Sequence, residues 1–279
     1  MGVRRLGAVV GAAVVSAVVF AGVGTPAALA TPIWSPSEAP LPGGGGTTTP
    51  ANAWTPFSAV ACPASGSCVA VGYDVDPQGD VLPLVETWSG GVWNSAAVAL
   101  PADAVTTGQD STLTALSCPA PGSCVAVGSY VNGTGVQGLI ETSSDGTWTA
   151  TTAPAPDNSV FPQEPDATLT EVVCPSVGSC VVVGDYEDTI GNSVGLVETL
   201  SAGTWTPMEA PLPGNADQGV NLNSKLLGLA CPAPGSCVAV GDDNINVSSA
   251  DGLIETLSGG MWTPLEASVP SGGLGGSLT

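Results

Sequence analysis

The sequence contains no histidine and only three basic residues, set against 24 acidic ones. Two of the three, Arg4 and Arg5, stand at the extreme N-terminus, so Lys225 is the one base in the rest of the chain. These absences exclude whole classes of function. Nucleic-acid binding needs cations to displace the counterions condensed on phosphate, and there are none to spare. Histidine acid–base catalysis, histidine metal ligation and arginine clamps on phosphate or carboxylate lack the residues they require. Serine and threonine are plentiful but have no histidine to activate them, and Lys225 alone is a thin basis for a Ser-Lys pair. Aromatics are scarce as well: 7 Trp, 3 Tyr and 3 Phe in 279 residues leave a core to be filled mainly by aliphatic side chains. Beyond the N-terminal run, no segment carries a helical apolar period.

That N-terminal run reads MGVRRLGAVVGAAVVSAVVFAGVGTPAALA over residues 1–30. A basic start, an apolar stretch from Leu6 to about Val23 and a small-residue step at Ala28-Leu29-Ala30 form the three-part layout of a secretory signal. A retained membrane anchor is the competing reading, because the run approaches the ~20 residues that cross a bilayer. The Ala-Leu-Ala step and the proline-rich sequence after it fit cleavage better. No later stretch is apolar for long enough to span, so the expected product is a secreted, extracellular protein without a stable membrane span.

The eight cysteines fall in four pairs, Cys62 with Cys68, Cys118 with Cys124, Cys174 with Cys180 and Cys231 with Cys237. One strict spacing in an exported chain reads as a disulfide framework. Zinc pairs usually have shorter spacing. Each pair lies in a longer string: CPASGSCVAVG from Cys62, CPAPGSCVAVG from Cys118, CPSVGSCVVVG from Cys174 and CPAPGSCVAVG from Cys231. A second block follows in each copy, ending at Trp93, Trp148, Trp205 and Trp262 (PLVETWSGGVW, GLIETSSDGTW, GLVETLSAGTW, GLIETLSGGMW). A fixed period of about 56 residues marks a repeat architecture, with units over 54–109, 110–165, 166–222 and 223–279.

Each unit resolves into four short strands rich in Val, Ile, Leu and Thr, bounded by Gly, Pro, Asp and Ser. With 38 Gly and 25 Pro, turn-forming residues have about twice their usual share. The expected fold is all-β and β-propeller-like: four repeats, each a four-stranded antiparallel blade stapled by its own disulfide across the first hairpin. Blades that bury both faces account for unbroken apolar runs such as Val-Ala-Val-Gly. Residues 31–53 form an orphan outer strand, TPIWSPSEAPLP, and a Gly/Thr-rich linker. The final Gly-Gly-Ser-Leu-Thr resembles the opening of another first strand, so either the ring has four blades plus an added strand, or a fifth blade is incomplete and the assembly is open or oligomeric. We expect four.

The combination of CPxxGSCVAVG with a later L-[VI]-E-T-x-S-x-G-x-W resembles a group of secreted actinobacterial β-propeller repeat proteins with Asp-box-like hairpins. The resemblance covers about residues 54–270. Ser143-Ser144-Asp145-Gly146-Thr147-Trp148 is similar to an Asp-box but one residue short, and Gly90, Ala202 and Gly259 replace its Asp elsewhere. What the resemblance implies is a sialidase-like fold without the catalytic residues. Sialidases hold the sugar carboxylate with several arginines, and the chain after residue 30 has none.

Candidate chemistry is confined to acids. Glu86, Glu141, Glu198 and Glu255 recur once per repeat inside apolar third strands. A buried carboxylate is costly unless bonded, so each is expected to be a structural latch accepting hydrogen bonds from amides, hydroxyls or a tryptophan indole, with a carboxylate ring around a cation as the sharper alternative. Asp74, Asp76 and Asp80, in the run Asp74-Val75-Asp76-Pro77-Gln78-Gly79-Asp80, are a calcium candidate, although Val85 stands where an EF-hand loop needs its last glutamate. Asp185, Glu187 and Asp188, and Asp242, Asp243 and Asn244, crowd the corresponding loops and read first as solvated acids. No catalytic residue or cofactor other than calcium is assigned. Two functions survive: a non-catalytic binding or scaffold module for an extracellular glycan or protein, and a carboxylate-dependent glycoside hydrolase, which needs only two acids at a defined separation. Composition leaves the oligomeric state open.

Overall fold

Apolar runs of four to six residues, punctuated by glycine and proline and rich in β-branched side chains, are too short for helices and suit strands. The structure, a computed structural model, describes residue 40 and residues 56–160, 166–214, 216, 223–246 and 249–268. The expected signal sequence, the orphan strand and linker apart from Pro40, and the C-terminal strand opening lie outside these residues.

Each repeat forms one four-stranded antiparallel sheet with its strands in chain order. The first sheet is β1 (Phe57–Ala64), β2 (Ser67–Val75), β3 (Val81–Ser89) and β4 (Val92–Ala97). The second is β5 (Thr112–Ala120), β6 (Ser123–Val131), β7 (Val136–Ser144) and β8 (Thr147–Thr152). The third is β9 (Thr168–Ser176), β10 (Ser179–Glu187), β11 (Ser193–Ser201) and β12 (Thr204–Glu209). The fourth is β13 (Lys225–Ala233), β14 (Ser236–Asn246), β15 (Ser249–Ser258) and β16 (Met261–Glu266).

The first hairpin is tighter than the sequence suggests. The strand continues through its cysteine to Ala64, and the chain turns at Gly66, φ 78°. The register slips between Ala61↔Val69 and Ala64↔Ser67, a bulge that accommodates Pro63, which has no amide hydrogen to give the ladder. All four pairs close as disulfides with Cα–Cα distances of 4.0–4.1 Å. Closing so short a loop contributes about 2 kcal/mol each on the chain-entropy account.

The glycine ending each cysteine string has a steric cause. A Cβ on Gly72, Gly128, Gly184 or Gly241 would lie about 2 Å from the carbonyl oxygen of Pro56, Thr112, Thr168 or Lys225 on the paired first strand. The third-to-fourth strand turn needs two residues at positive φ: Gly90-Gly91, Asp145-Gly146, Ala202-Gly203 and Gly259-Gly260. That is a two-residue hairpin turn of the primed kind, which matches the twist of the strands. It explains the Asp-box-like degeneracy, because the position asks for left-handed backbone and not for a carboxylate. Ala202 meets the demand at φ 50° without glycine's freedom.

Call the face of a sheet turned to the preceding repeat its near face, and the opposite one its far face. Val69, Val71 and Val85 on the far face of the first sheet pack on Leu113, Ala126, Tyr130 and Leu139 of the second. Val125, Val127 and Ile140 pack on Leu169, Val172, Val182 and Leu196 of the third. Val181, Val183 and Val197 pack on Leu226, Ala239, Leu253 and Trp262 of the fourth. At each junction the first strand of the following sheet lies across the first three strands of the preceding one. Hydroxyls tie these first strands together: Thr114 Oγ1 donates to Leu169 O and Thr170 Oγ1 to Leu226 O, each at 2.7 Å.

Among the described residues the four sheets do not close into a ring. The sheets stack in series from first to fourth, and the described residues do not join the fourth to the first. Closure needs the first strand of the first sheet to lie on the far face of the fourth, and β1 makes that kind of contact with β5 alone among the first strands.

Two substitutions test this account. Ala202→Gly should raise stability by roughly 0.5–1 kcal/mol by relieving the left-handed alanine. Gly184→Ala should cost more than about 3 kcal/mol, because only backbone movement makes room for the methyl. Equilibrium denaturation measures both, and a neutral Gly184→Ala would disprove the close-approach explanation.

Candidate functional site

In the first three repeats the loop between second and third strands is built around one acid or amide that folds the loop onto itself. The Asp76 amide donates to Asp80 O (3.0 Å), and Asp76 Oδ1 accepts from the amides of Gln78 (2.8 Å) and Asp80 (2.9 Å). Asp188 does the same: its Oδ1 accepts from Ile190 N and Asn192 N, and its Oδ2 from Asn192 Nδ2. Asn132 serves in the second repeat, accepting from the amides of Thr134 and Gly135. The segment from Asp76 to Asp80 is therefore a side-chain-closed turn. Asp80 Oδ1 also accepts from the Gln109 amide at 3.0 Å, reaching the segment that leads into the second repeat. Asp74 sits apart from this turn, near the end of β2, opposite Leu82. Among the described residues, no three of His, Cys, Asp or Glu stand together as metal ligands.

Sequence reasoning missed two tyrosines. Tyr130 and Tyr186 follow the cysteine string in the second and third repeats and are wholly buried. Tyr130 Oη contacts Thr152 Oγ1 at 2.6 Å and donates to Asp103 at 3.0 Å. Tyr186 Oη donates to Asn158 Oδ1 (2.8 Å) and Glu209 Oε2 (3.2 Å). Each bolts the near face of its sheet to the linker arriving from the preceding one, and burial raises both phenols, Tyr130 to about 12. The signal was a tyrosine at the same place in two repeats, replaced by Asp74 and Asp243 in the outer two.

Beside the Tyr186 bolt lies a cleft of about 350 Å³, lined by Asp188, Ile190, Asn192, Glu209, Ala210, Pro211 and Leu212. One wall is the Asp188 loop and the other is the end of β12 with its following linker. Ile190 is exposed, and Glu209 also accepts from Asn158 Nδ2 at 2.7 Å. The floor is fixed by steric fit: Ala210 packs against Gly195, where any Cβ would come within 2.9 Å of it. The cleft thus joins rigid backbone, two acids and an apolar lip.

The recurrent glutamates are not the latches expected of them. Glu86, Glu141, Glu198 and Glu255 are at most 1% exposed, yet none of their eight carboxylate oxygens has a hydrogen-bond partner among the described residues. Strand alternation puts each on the near face of its sheet, with Val182, Pro207 and Leu196 around Glu198. Glu141, Glu198 and Glu255 therefore face three separate sheet junctions and do not converge on one cation. Trp93, Trp148, Trp205 and Trp262 pack without bonding them: Trp148, Trp205 and Trp262 join the three cores, and Trp93 leans on Trp88 at 5.5 Å. A carboxylate without partners survives burial by keeping its proton. Desolvation lifts Glu198 to about 9, Glu141 and Glu255 to about 8, and Glu86 to about 7. The shift is smallest for Glu86, whose face has no described sheet stacked upon it.

In the fourth repeat the buried Asp243 stands in place of the tyrosine, with no side-chain partner for its carboxylate among the described residues. Burial first, and then the negative charges of Asp251, Glu266 and Asp242, raise it to about 6. Asp242 is buried as well, so these two are not the solvated acids the sequence suggested, and the half-exposed Lys225 approaches Asp242 only at 4.0 Å.

The four closed disulfides fit an oxidising, extracellular environment. No helix among the described residues is long and apolar enough to cross a membrane. Neither a protein-family model nor a curated protein matches the chain.

The buried glutamates make a signed prediction. Each has a folded-state pKa above the ordinary carboxyl value, so the folded protein holds a proton that the unfolded chain releases. Stability should be greatest near pH 4–5 and fall toward pH 8–9, by up to about 1.4 kcal/mol per pH unit for each group. Glu198→Gln should raise the melting temperature at pH 8 and flatten the slope; an unchanged pH profile would mean that Glu198 is ionised and bonded.

Proposed function

We propose that this chain is an exported, non-catalytic module that binds or scaffolds an extracellular glycan or protein, built as an arc of β-propeller blades. The observation that carries the reading is the cleft on the third repeat. Its wall is a loop that differs from repeat to repeat, and this loop is mounted on a frame locked by a disulfide, a tyrosine bolt and a glycine fit. A rigid frame holding variable loops is the arrangement binding proteins use. The acids there serve the frame: both oxygens of Asp188 close its own loop, and Glu209 anchors Tyr186. The apolar lip of Ile190 and Leu212 beside amide and carboxylate groups suits a sugar ring or a peptide, which each present one apolar and one polar side.

The alternative, a carboxylate-dependent glycoside hydrolase, is favoured by one fact: Asp188 and Glu209 line the same cleft. Calcium at the Asp74–Asp80 loop is a separable possibility, decided by titration.

The test is a screen of glycans and secreted proteins, followed by Ile190→Asp in the cleft. Binding should weaken more than about tenfold, with an unchanged melting temperature because Ile190 is exposed. Hydrolysis of a glycoside that disappears in Glu209→Gln would instead establish the enzyme. A large saturable rise in melting temperature with calcium would show that the first loop takes the ion.

A further inference from the structure

The two ends of the stack are open at matching places. On the far faces of the first three sheets, the leading valine of the second strand is covered: Val69, Val125 and Val181 are 9%, 5% and 5% exposed. Its counterpart in the fourth sheet, Val238, is 41% exposed. Val240 and Ile254 are likewise half-buried where their counterparts Val71, Val127, Val183, Val85, Ile140 and Val197 are fully buried. On the near side, the leading leucines of β5, β9 and β13 (Leu113, Leu169 and Leu226) are at most 1% exposed, whereas Phe57 of β1 is 41% exposed and Val60 64%. Ala70, Leu84 and Glu86 beside them are covered, so the opening of the first sheet is confined to its first strand.

These openings correspond. At every internal junction the first strand of one sheet lies across the first three strands of the sheet before it. The surface exposed on the fourth sheet is on its second and third strands, and the surface exposed on the first sheet is on its first strand. What is missing at each end is one such first-strand contact. Each patch has one acid at its margin, and both acids are buried: Glu86 lies beside Ala70 on the first sheet, and Asp242, two residues beyond Val240 on the fourth, has Lys225 at 4.0 Å. Leu227 stands where Thr114 and Thr170 donate across the internal junctions, which adds apolar surface to the open end.

We propose that a second copy of this chain docks head-to-tail, its β1 lying on β14 and β15 of the first and continuing the three internal junctions. A second copy covers both openings at once without changing the stack. The contact uses two different patches, so it is heterologous, and copies either close into a ring or add in a line. The inference rests on the open series of sheets and not on the binding role, so an inactive cleft would leave it untouched.

The test is the mass of the full chain in solution across a dilution series, by light scattering and sedimentation. The expected result is reversible association that strengthens with salt as the net negative charge is screened. Val238→Lys and Phe57→Lys should each raise the dissociation constant more than about tenfold with unchanged circular dichroism and melting temperature. Each single variant retains one good end, so mixing the two should restore dimers and nothing larger. A two-fold symmetric contact predicts no such rescue, and that result would overturn the proposal. So would a monomer at every concentration, or association that is lost when the chain is truncated after Ser268, which would point to ring closure within one chain or to the C-terminal segment as the occupant. Should either variant unfold, Ile254→Thr and Val60→Ser serve as milder substitutions at the same two patches.

Discussion

A sheet that is apolar on both faces is stable only between two others, and everything else in this molecule follows from that constraint. With charged residues a tenth of the composition and few aromatics, each repeat buries its valines and leucines against its neighbours'. Each fully buried aliphatic side chain contributes roughly 1.5–3 kcal/mol, so a lone repeat would lose most of its stabilisation. The disulfide in each first hairpin adds to this by holding the first and second strands together. The motif glycines then let first and second strands approach to a distance no side chain permits.

The same constraint gives the four glutamates their unusual state. In a protein with so few bases, a buried acid has no cation to pair with, and the apolar junction supplies no donor. The proton is the cheapest partner. Glu141, Glu198 and Glu255 belong to the junctions and Glu86 to the near face of the first sheet, whereas the acids that meet solvent, such as Asp76, Asp188 and Glu209, use their oxygens to close loops and anchor a tyrosine. That division separates the carboxyls whose chemistry is perturbed from the cleft that Asp188 and Glu209 line, which favours binding over hydrolysis.

Much of the architecture was legible in the sequence. The period, the cysteine spacing and the block ending in Trp93, Trp148, Trp205 and Trp262 are one-dimensional signals, and each maps onto a sheet, a staple or a core residue. The turn at Asp145 was legible as a hairpin and misleading as an Asp-box, because a left-handed backbone position accepts Gly, Asp or Ala, and a motif of letters does not reveal which property is being used. The glutamate latch failed for a related reason: recurrence showed that Glu141 and its counterparts belong to the repeat, while the presence of a donor depends on which face of the sheet they occupy and what lies opposite.

The amino-acid sequence by itself determined the unit: its length, its four strands, its cysteine pairing and the near-total absence of cationic chemistry, since these depend on local spacing and on composition. Only the tertiary structure decided that the units stack in an open series, that Tyr130 and Tyr186 bolt the linkers, and that Asp188 and Glu209 share a cleft. Those facts rest on contacts between residues tens of positions apart, whose geometry is set by how one sheet lies on the next.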